Sequence, residues 1–277
     1  WFHSPEVMIE AIMAGAGFYL FISHIFTTPK PFIDPKIFSD RNFGIGLIFI
    51  FIIGIILLAT MALLPPFMQS LMGYPVLDVG NLLAPRGIGT MAAMITVGKL
   101  AGKVDPRQEI FLGLALTVFS LWQMTHYTVD STPFEIVSVG MIQGLGLGFI
   151  FVPLSAISFA TLNPQYRNEA TALFSLLRNI GSSIGISIVI TYLAQRTQIN
   201  HAAFAEYITP FNLALNEAIQ QGVFNLKTPQ GLIALNNQVN AQALTLAYLQ
   251  DFRLMMWVTM AAIPLVFLLK APPKKKT

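Results

Sequence analysis

The 277-residue chain is 55% hydrophobic and 10% charged, far below the roughly 25% charge of soluble domains, so most of its surface is not built to face water. Its net charge of +3 acquires meaning only once the basic residues are placed on one side of a bilayer. Cysteine is absent, which excludes disulfide frameworks, thiolate zinc sites and cysteine nucleophiles.

A membrane-crossing helix needs about 20 largely apolar residues, and seven stretches are candidates. The first, Val7 to Phe26, is opened by Ser4, Pro5 and Glu6, which read as cap, first-turn proline and an acid facing the helix dipole. The connector TTPKPFIDPKIFSDRN follows, too rich in proline and charge to stay helical, and residues 1–42 form one unit of span plus surface connector. The second span, Phe43 to Leu64, is expected to stop at Pro65 and Pro66. After a turn at Gly73, Tyr74 and Pro75, the third runs from Val79 to Val97, with Asp78 as its expected cap. It holds Asn81, Pro85 and Arg86 and is the least lipid-like of the set. GKLAGKVDPR makes a short basic turn before the fourth span, Glu109 to Thr125, with Trp122 and Tyr127 near its far end, where interfacial aromatics belong.

The fifth span, Ile136 to Ala160, carries Gly140, Gly144 and Gly148 four apart, so one face is bare backbone on which a neighbour can lie closely. Asn163 to Glu169 supply a polar break. The sixth span starts near Ala170 and repeats the device with Gly181 and Gly185, which closes a block of five spans over residues 43–194. Residues 195–250 are polar but space apolar residues helically, from Phe204 to Ile219 and from Leu232 to Leu246. Two external amphipathic helices are expected there, broken around Gly222 to Pro229. The last span, Phe252 to Leu269, and a lysine-rich tail complete residues 251–277.

Counting Lys and Arg on alternate sides places eleven of the 16 on one side and three, Arg196, Lys227 and Arg253, on the other. The basic side is cytoplasmic by the positive-inside rule, so the C-terminus is expected inside and the 195–250 segment outside. An odd number of spans beginning outside at Trp1, with no initiator methionine or signal pattern, suggests that an upstream portion exists.

GLGLGFIFVPLSAISFATL followed by RNEATALFSLLRNIGSSIGISI resembles the late helices of the EmrB/QacA type of drug:proton antiporter, the fourteen-helix branch of the major facilitator superfamily. The resemblance implies an all-α membrane protein: the C-terminal six-helix bundle of such a transporter, preceded by one linker transmembrane helix. It further implies a multi-pass protein of the bacterial inner membrane that confers drug resistance. Such a protein exports small amphipathic compounds by alternating access, driven by a proton gradient with no cofactor and no metal. The N-terminal half of the same chain would carry most of the coupling acids. A periplasmic adaptor and an outer-membrane channel are implied partners, alongside the lipid bilayer, and nucleic acid is not. GKLAGKVDPR is similar to the superfamily's inter-helix loop motif, with Gly98, Lys99, Lys103 and Arg107 in place and Gly102 where the family has an aspartate. That departure puts the family's charge lock in doubt in this half.

The residues themselves nominate a site. Arg178 falls about 12 Å inside the sixth span, where an unpaired arginine costs roughly 2.5–3.5 kcal/mol on insertion scales. With Asn179 it lines an interhelical polar site, or else it snorkels or makes one fixed ion pair. Arg86, beside Pro85, serves either that site or the carbonyl that the proline frees. Gln143 is exposed to a central cavity or bonds a neighbouring helix, and Phe149 and Phe151 follow it as walls for amphipathic ligands or as core. Glu10, Glu135 and the histidines near span ends are minor candidates for carrying protons. The sequence has no HExxH pattern and no complete phosphate loop, so an enzyme is not expected. The alternative to a transporter is a non-transporting membrane scaffold or a permease subunit of a larger assembly.

Overall fold

A computed structural model describes residues 4–28, 31–209, 211–221, 224–226 and 228–270, and among these every regular element is helical. Trp1, Lys30, Lys227 and the tail lysines of the charge count lie outside the described residues. The long helices are α1 (Pro5–Thr27), α2 (Arg41–Ser70), α3 (Val76–Leu100), α4 (Pro106–Met124), α5 (Pro133–Ala160), α6 (Arg167–Glu206) and α8 (Pro229–Ala262), with the short α7 (Leu213–Gln220) between the last two. A 3₁₀ stretch, Ile263–Leu268, continues α8.

α2 is the hub. α5, α6 and α8 pack around it, while α3 and α4 flank α5 and α8 bridges α4 and α6. Helix α1 stands apart, with Ile25 its only buried residue. The pattern is inside-out. Thr60, Thr117, Ser120, Gln143, Ser158 and Thr259 are buried, while Ile88, Met91, Ile95, Phe119 and Trp257 are exposed, as lipid-facing surfaces require. α1, α2, α5, α6 and α8 are long and apolar enough to cross a membrane. α3 and α4, at 25 and 19 residues, have the length but spend positions on polar groups turned inward, Arg86 on α3 and Thr117 and Ser120 on α4.

Two apolar clusters fill the bundle. The lower one gathers Ile33, Phe43, Ile50, Leu154 and Leu269. At that end Asn42 donates to the Lys270 carbonyl (3.0 Å) and accepts from the Lys270 amide (2.9 Å), clipping the start of α2 to the end of the last span. The upper cluster gathers Leu64, Phe67, Tyr127, Val189, Tyr248 and Phe252, with the rings of Phe67 and Tyr248 edge to face at 5.3 Å.

Several local expectations change. α2 runs through Pro65 and Pro66 to Ser70. Both prolines sit near its C-terminus, and the complete burial of Leu63, Phe67 and Met68 to within 1% exposure outweighs two lost backbone donors. Asp78 does not cap α3: Pro75 is the capping residue, and Asp78 lies in the first turn, where its charge suits the dipole. Ser4 makes no side-chain cap bond either. The polar 195–250 segment is not two free-standing helices. α6 extends unbroken to Glu206 and α8 begins at Pro229, so both continue beyond any hydrocarbon layer and brace one another, Asn200 donating to the Ala243 carbonyl at 3.2 Å. Continuation costs less than restarting, because each added residue of an existing helix gains a hydrogen bond without a new nucleus. Of the expected break, Gly222, Val223 and Lys227 lie outside the described residues.

Candidate functional site

The glycines set how the helices meet. A Cβ placed on Gly148 would lie 2.5 Å from the Ala93 Cβ, and one on Gly144 would collide with the Arg86 carbonyl, so α5 presses its backbone on α3. Gly140 is looser: a Cβ there would lie 3.9 Å from the Arg86 Cβ. A Cβ on Gly185 would lie 2.7 Å from the Ile55 Cα, and one on Gly181 would collide with the Phe51 carbonyl, so α6 lies on α2 in the same way. A third seam, Gly113 with Gly146 between α4 and α5, uses glycines that the spacing of four does not single out.

The seams leave polar groups at defined heights. Gln143 is fully buried, and its Nε2 donates to Thr60 Oγ1 of α2 at 3.5 Å while its Oε1 has no partner. It therefore faces a neighbouring helix, not a cavity. Arg86 is 8% exposed with Nη2 unpartnered. The Arg86 carbonyl accepts from Thr90 Oγ1 (3.1 Å). Arg178, half-buried on α6, holds its guanidinium 5.7 Å from the centre of the Phe151 ring on α5. Arg86 and Arg178 do not form one site: along α5 their neighbours Gly144 and Phe151 are about 10 Å apart. Phe149 is half-buried on the partly open side of α5.

Asn179 is exposed, and it belongs to a longer feature. Ser175, Asn179, Ser183 and Ser187 recur every four residues along one side of α6, with Ser175 half-buried and the other three exposed. A hydroxyl and amide stripe of this kind offers hydrogen-bonding groups that lipid cannot use. The four-residue spacing of small polar residues around Asn179 was the available signal.

The loop motif has a backbone reason for its departure. Gly102 has φ +80°, a conformation costly for side chains with a Cβ, and the chain turns there between α3 and α4. Lys99 lies in the last turn of α3 and Asp105 caps α4 through the Arg107 amide at 3.0 Å. A Cβ on Gly98 would meet nothing within 4 Å, and Lys103 follows the turn, its amide bonded to the Leu100 carbonyl. Glu135 is engaged in a capping box with Thr132.

Sequence reasoning missed Asp251. It is 0% exposed about two-thirds of the way along α8, with neither carboxyl oxygen hydrogen-bonded. Taking the span to start one residue later, at Phe252, hid it at a boundary.

The comparisons agree with this architecture. The chain is 28% identical over 276 residues to the fatty acid resistance protein FarB of Neisseria gonorrhoeae, which covers 98% of this chain and 54% of that protein. It is 26% identical over 276 residues to the multidrug export protein EmrB of Escherichia coli K12, again 98% and 54%. With EmrB of Haemophilus influenzae it shares 25% over 246 residues, 87% of this chain and 48% of that protein. The chain thus spans about half the length of the curated relatives it matches. A profile of the Major Facilitator Superfamily matches residues 7–186, and the chain belongs to that superfamily of membrane transporters.

Proposed function

We propose that this chain is the C-terminal half of a proton-coupled antiporter that exports small amphipathic compounds across the bacterial inner membrane by alternating access. The observation that carries the reading is the polar stripe of Ser175, Asn179, Ser183 and Ser187, exposed on a membrane helix beside the Arg178–Phe151 contact. A surface of that composition suits water, substrate or a second bundle better than it suits lipid. Relatives named for multidrug export and fatty acid resistance support amphipathic cargo. An arginine over a phenylalanine ring offers such cargo both a charge and an apolar face.

The second bundle is supplied by N-terminal helices of the same protein. The lower end is cytoplasmic, because Lys99, Lys103, Arg107 and Arg167 gather there. The extensions of α6 and α8 then rise outside, where they meet a periplasmic adaptor leading to an outer-membrane channel. The test is transport by the chain joined to its N-terminal helices, purified into liposomes with an imposed pH gradient and ethidium as probe. Gradient-driven movement supports the reading. Its absence, with ethidium still bound, favours a non-transporting scaffold or a subunit that needs a partner.

A further inference from the structure

The turn between α4 and α5 holds a cleft that the transport reading leaves unused. Its volume is about 250 Å³, and its walls include Trp122, Gln123, His126, Tyr127, Ser131 and Glu135. A water takes only about 30 Å³, so there is room for a small organic headgroup.

The polar atoms here are acceptors in want of donors. The side-chain oxygen of Gln123 is buried without a partner. The Tyr127 phenol, on a residue only 5% exposed, has no hydrogen bond among the described residues. His126 Nδ1 lies 2.9 Å from the Trp122 carbonyl, which can only accept. Nδ1 therefore carries the proton, and Nε2 of the neutral ring is left as an acceptor. Glu135 gives Oε2 to the Thr132 amide at 3.0 Å and keeps Oε1 for another donor. Its carboxylate acts on the same group of atoms: burial, and then the charge of Glu135, hold the Tyr127 phenol above its ordinary range, so the phenol stays neutral.

The charge is one-sided. No Lys or Arg occurs in the sequence between Arg107 and Arg167, and none of the described residues lining the cleft is basic. Asp130 and Glu135 both lie at this end and are exposed. Acceptors without donors, beside a carboxylate without a cation, match an ammonium, which brings three N–H groups and a positive charge. The cleft also sits where lipid headgroups are expected, because Trp122 and Tyr127 are the interfacial aromatics at the far end of α4. The stacked rings of Phe119 and Trp122, 5.9 Å apart, are exposed to the side and offer a shelf for an alkyl chain.

We infer that this cleft binds the primary ammonium of an amine-headed phospholipid in the leaflet at the upper end, with Glu135 as counter-ion and Gln123 Oε1, the Tyr127 phenol oxygen and His126 Nε2 as acceptors. A choline head carries the same charge but no N–H, so it would leave those acceptors unpaired. The site therefore selects the primary amine over choline. Nothing in this depends on the direction or the coupling of transport.

The test places the chain joined to its N-terminal helices in nanodiscs of equal parts phosphatidylethanolamine and phosphatidylcholine, extracts it in mild detergent and counts the retained lipids by native mass spectrometry. Phosphatidylethanolamine should be retained over phosphatidylcholine by about tenfold, the weight of one hydrogen bond from a charged donor. Glu135→Gln keeps the capping box with Thr132, because glutamine serves at that position too. It should lower the preference by about fivefold or more, through the lost charge. Asp78→Asn, which removes an exposed acid from the first turn of α3 at the same end, should leave the preference unchanged. Equal retention of the two lipids, or an equal loss in both variants, would overturn the inference. Should Glu135→Gln fold poorly, Tyr127→Phe carries the test: it keeps the ring contacts with Phe67 and Phe252 and removes only the phenol. An unchanged preference in that variant counts against the site. Ethylammonium chloride is the soluble probe, expected to displace the lipid only in large excess. Displacement at equal concentration would leave the ammonium site standing and overturn the lipid as its occupant.

Discussion

The guanidinium of Arg178 lies 5.7 Å from the ring centre of Phe151, linking α6 to α5, two helices that pack on α2 but not along one another. A contact that bridges two separately seated helices can be broken without unseating either. That makes it suited to change partner between conformations. Arg178→Ala, in the chain joined to its N-terminal helices, should lower driven efflux more than about tenfold with membrane expression intact. Phe151→Leu should cost about two- to fivefold, the equivalent of a 0.5–1 kcal/mol cation–π contact. Reconstituted transport rates check both. Normal efflux by Arg178→Ala would remove it from the site.

The glycine seams make a stability prediction with its own control. Gly148→Ala places a methyl 2.5 Å from the Ala93 Cβ, so the α3–α5 seam must open, at a cost of about 1–3 kcal/mol. Gly87, on the same α3, has nothing within 4 Å of an added Cβ. Gly87→Ala should be neutral or stabilise by up to about 1 kcal/mol. Thermal unfolding of the detergent-solubilised protein distinguishes them, and equal losses would show that the seam is not what the glycines serve.

How far the sequence was legible follows from these same residues. Spacings of four located Gly144, Gly148, Gly181 and Gly185, because that period is a property of a single helix. Gly113 and Gly146 went unread because their role depends on α4 meeting α5, which no local pattern encodes. Gln143 could be placed on a helix but not on a face, and Thr60, its partner, is 83 residues away. Proline in α2 and polarity after Ala194 read as helix ends, yet burial of Phe67 and the bracing of Asn200 on Ala243 carry both helices onward. Asp251 was lost for a related reason: the hydropathy that delimits a span says nothing of what encloses its edge.

The clip between Asn42 and Lys270 yields a local prediction. Asn42→Ala removes a donor at 3.0 Å and an acceptor at 2.9 Å and leaves the Lys270 amide to water. Each bond is worth about 0.5–1.5 kcal/mol net. Amide exchange at Lys270 should quicken by about tenfold, the rate equivalent of 1.4 kcal/mol. Exchange at upper-cluster residues such as Tyr248 should not change. Unaltered exchange at Lys270 would mean that the 3₁₀ stretch alone holds this end.

The last prediction concerns the extensions of α6 and α8. At 40 and 34 residues these helices are about 60 and 51 Å long, against a hydrocarbon core of about 30 Å, so several turns of each stand clear of it. They are tied by Asn200 to Ala243 and by His201 Nε2 to Asn236 Oδ1 at 3.0 Å, which makes a braced post, not a loose loop. On that post the segment leading into α7 exposes Tyr207, Phe211 and Leu213 at 71%, 91% and 79%. Apolar side chains this exposed outside a bilayer suit a protein partner. If the partner is the proposed adaptor, the pair Phe211→Ser and Leu213→Ser should cut adaptor co-purification about tenfold or more while liposome transport, which needs no adaptor, stays within about twofold of wild type. Removing residues 204–239 and rejoining the post should abolish co-purification outright. Retained co-purification in both variants would place the adaptor contact elsewhere, because the segment would then be covered by its own chain.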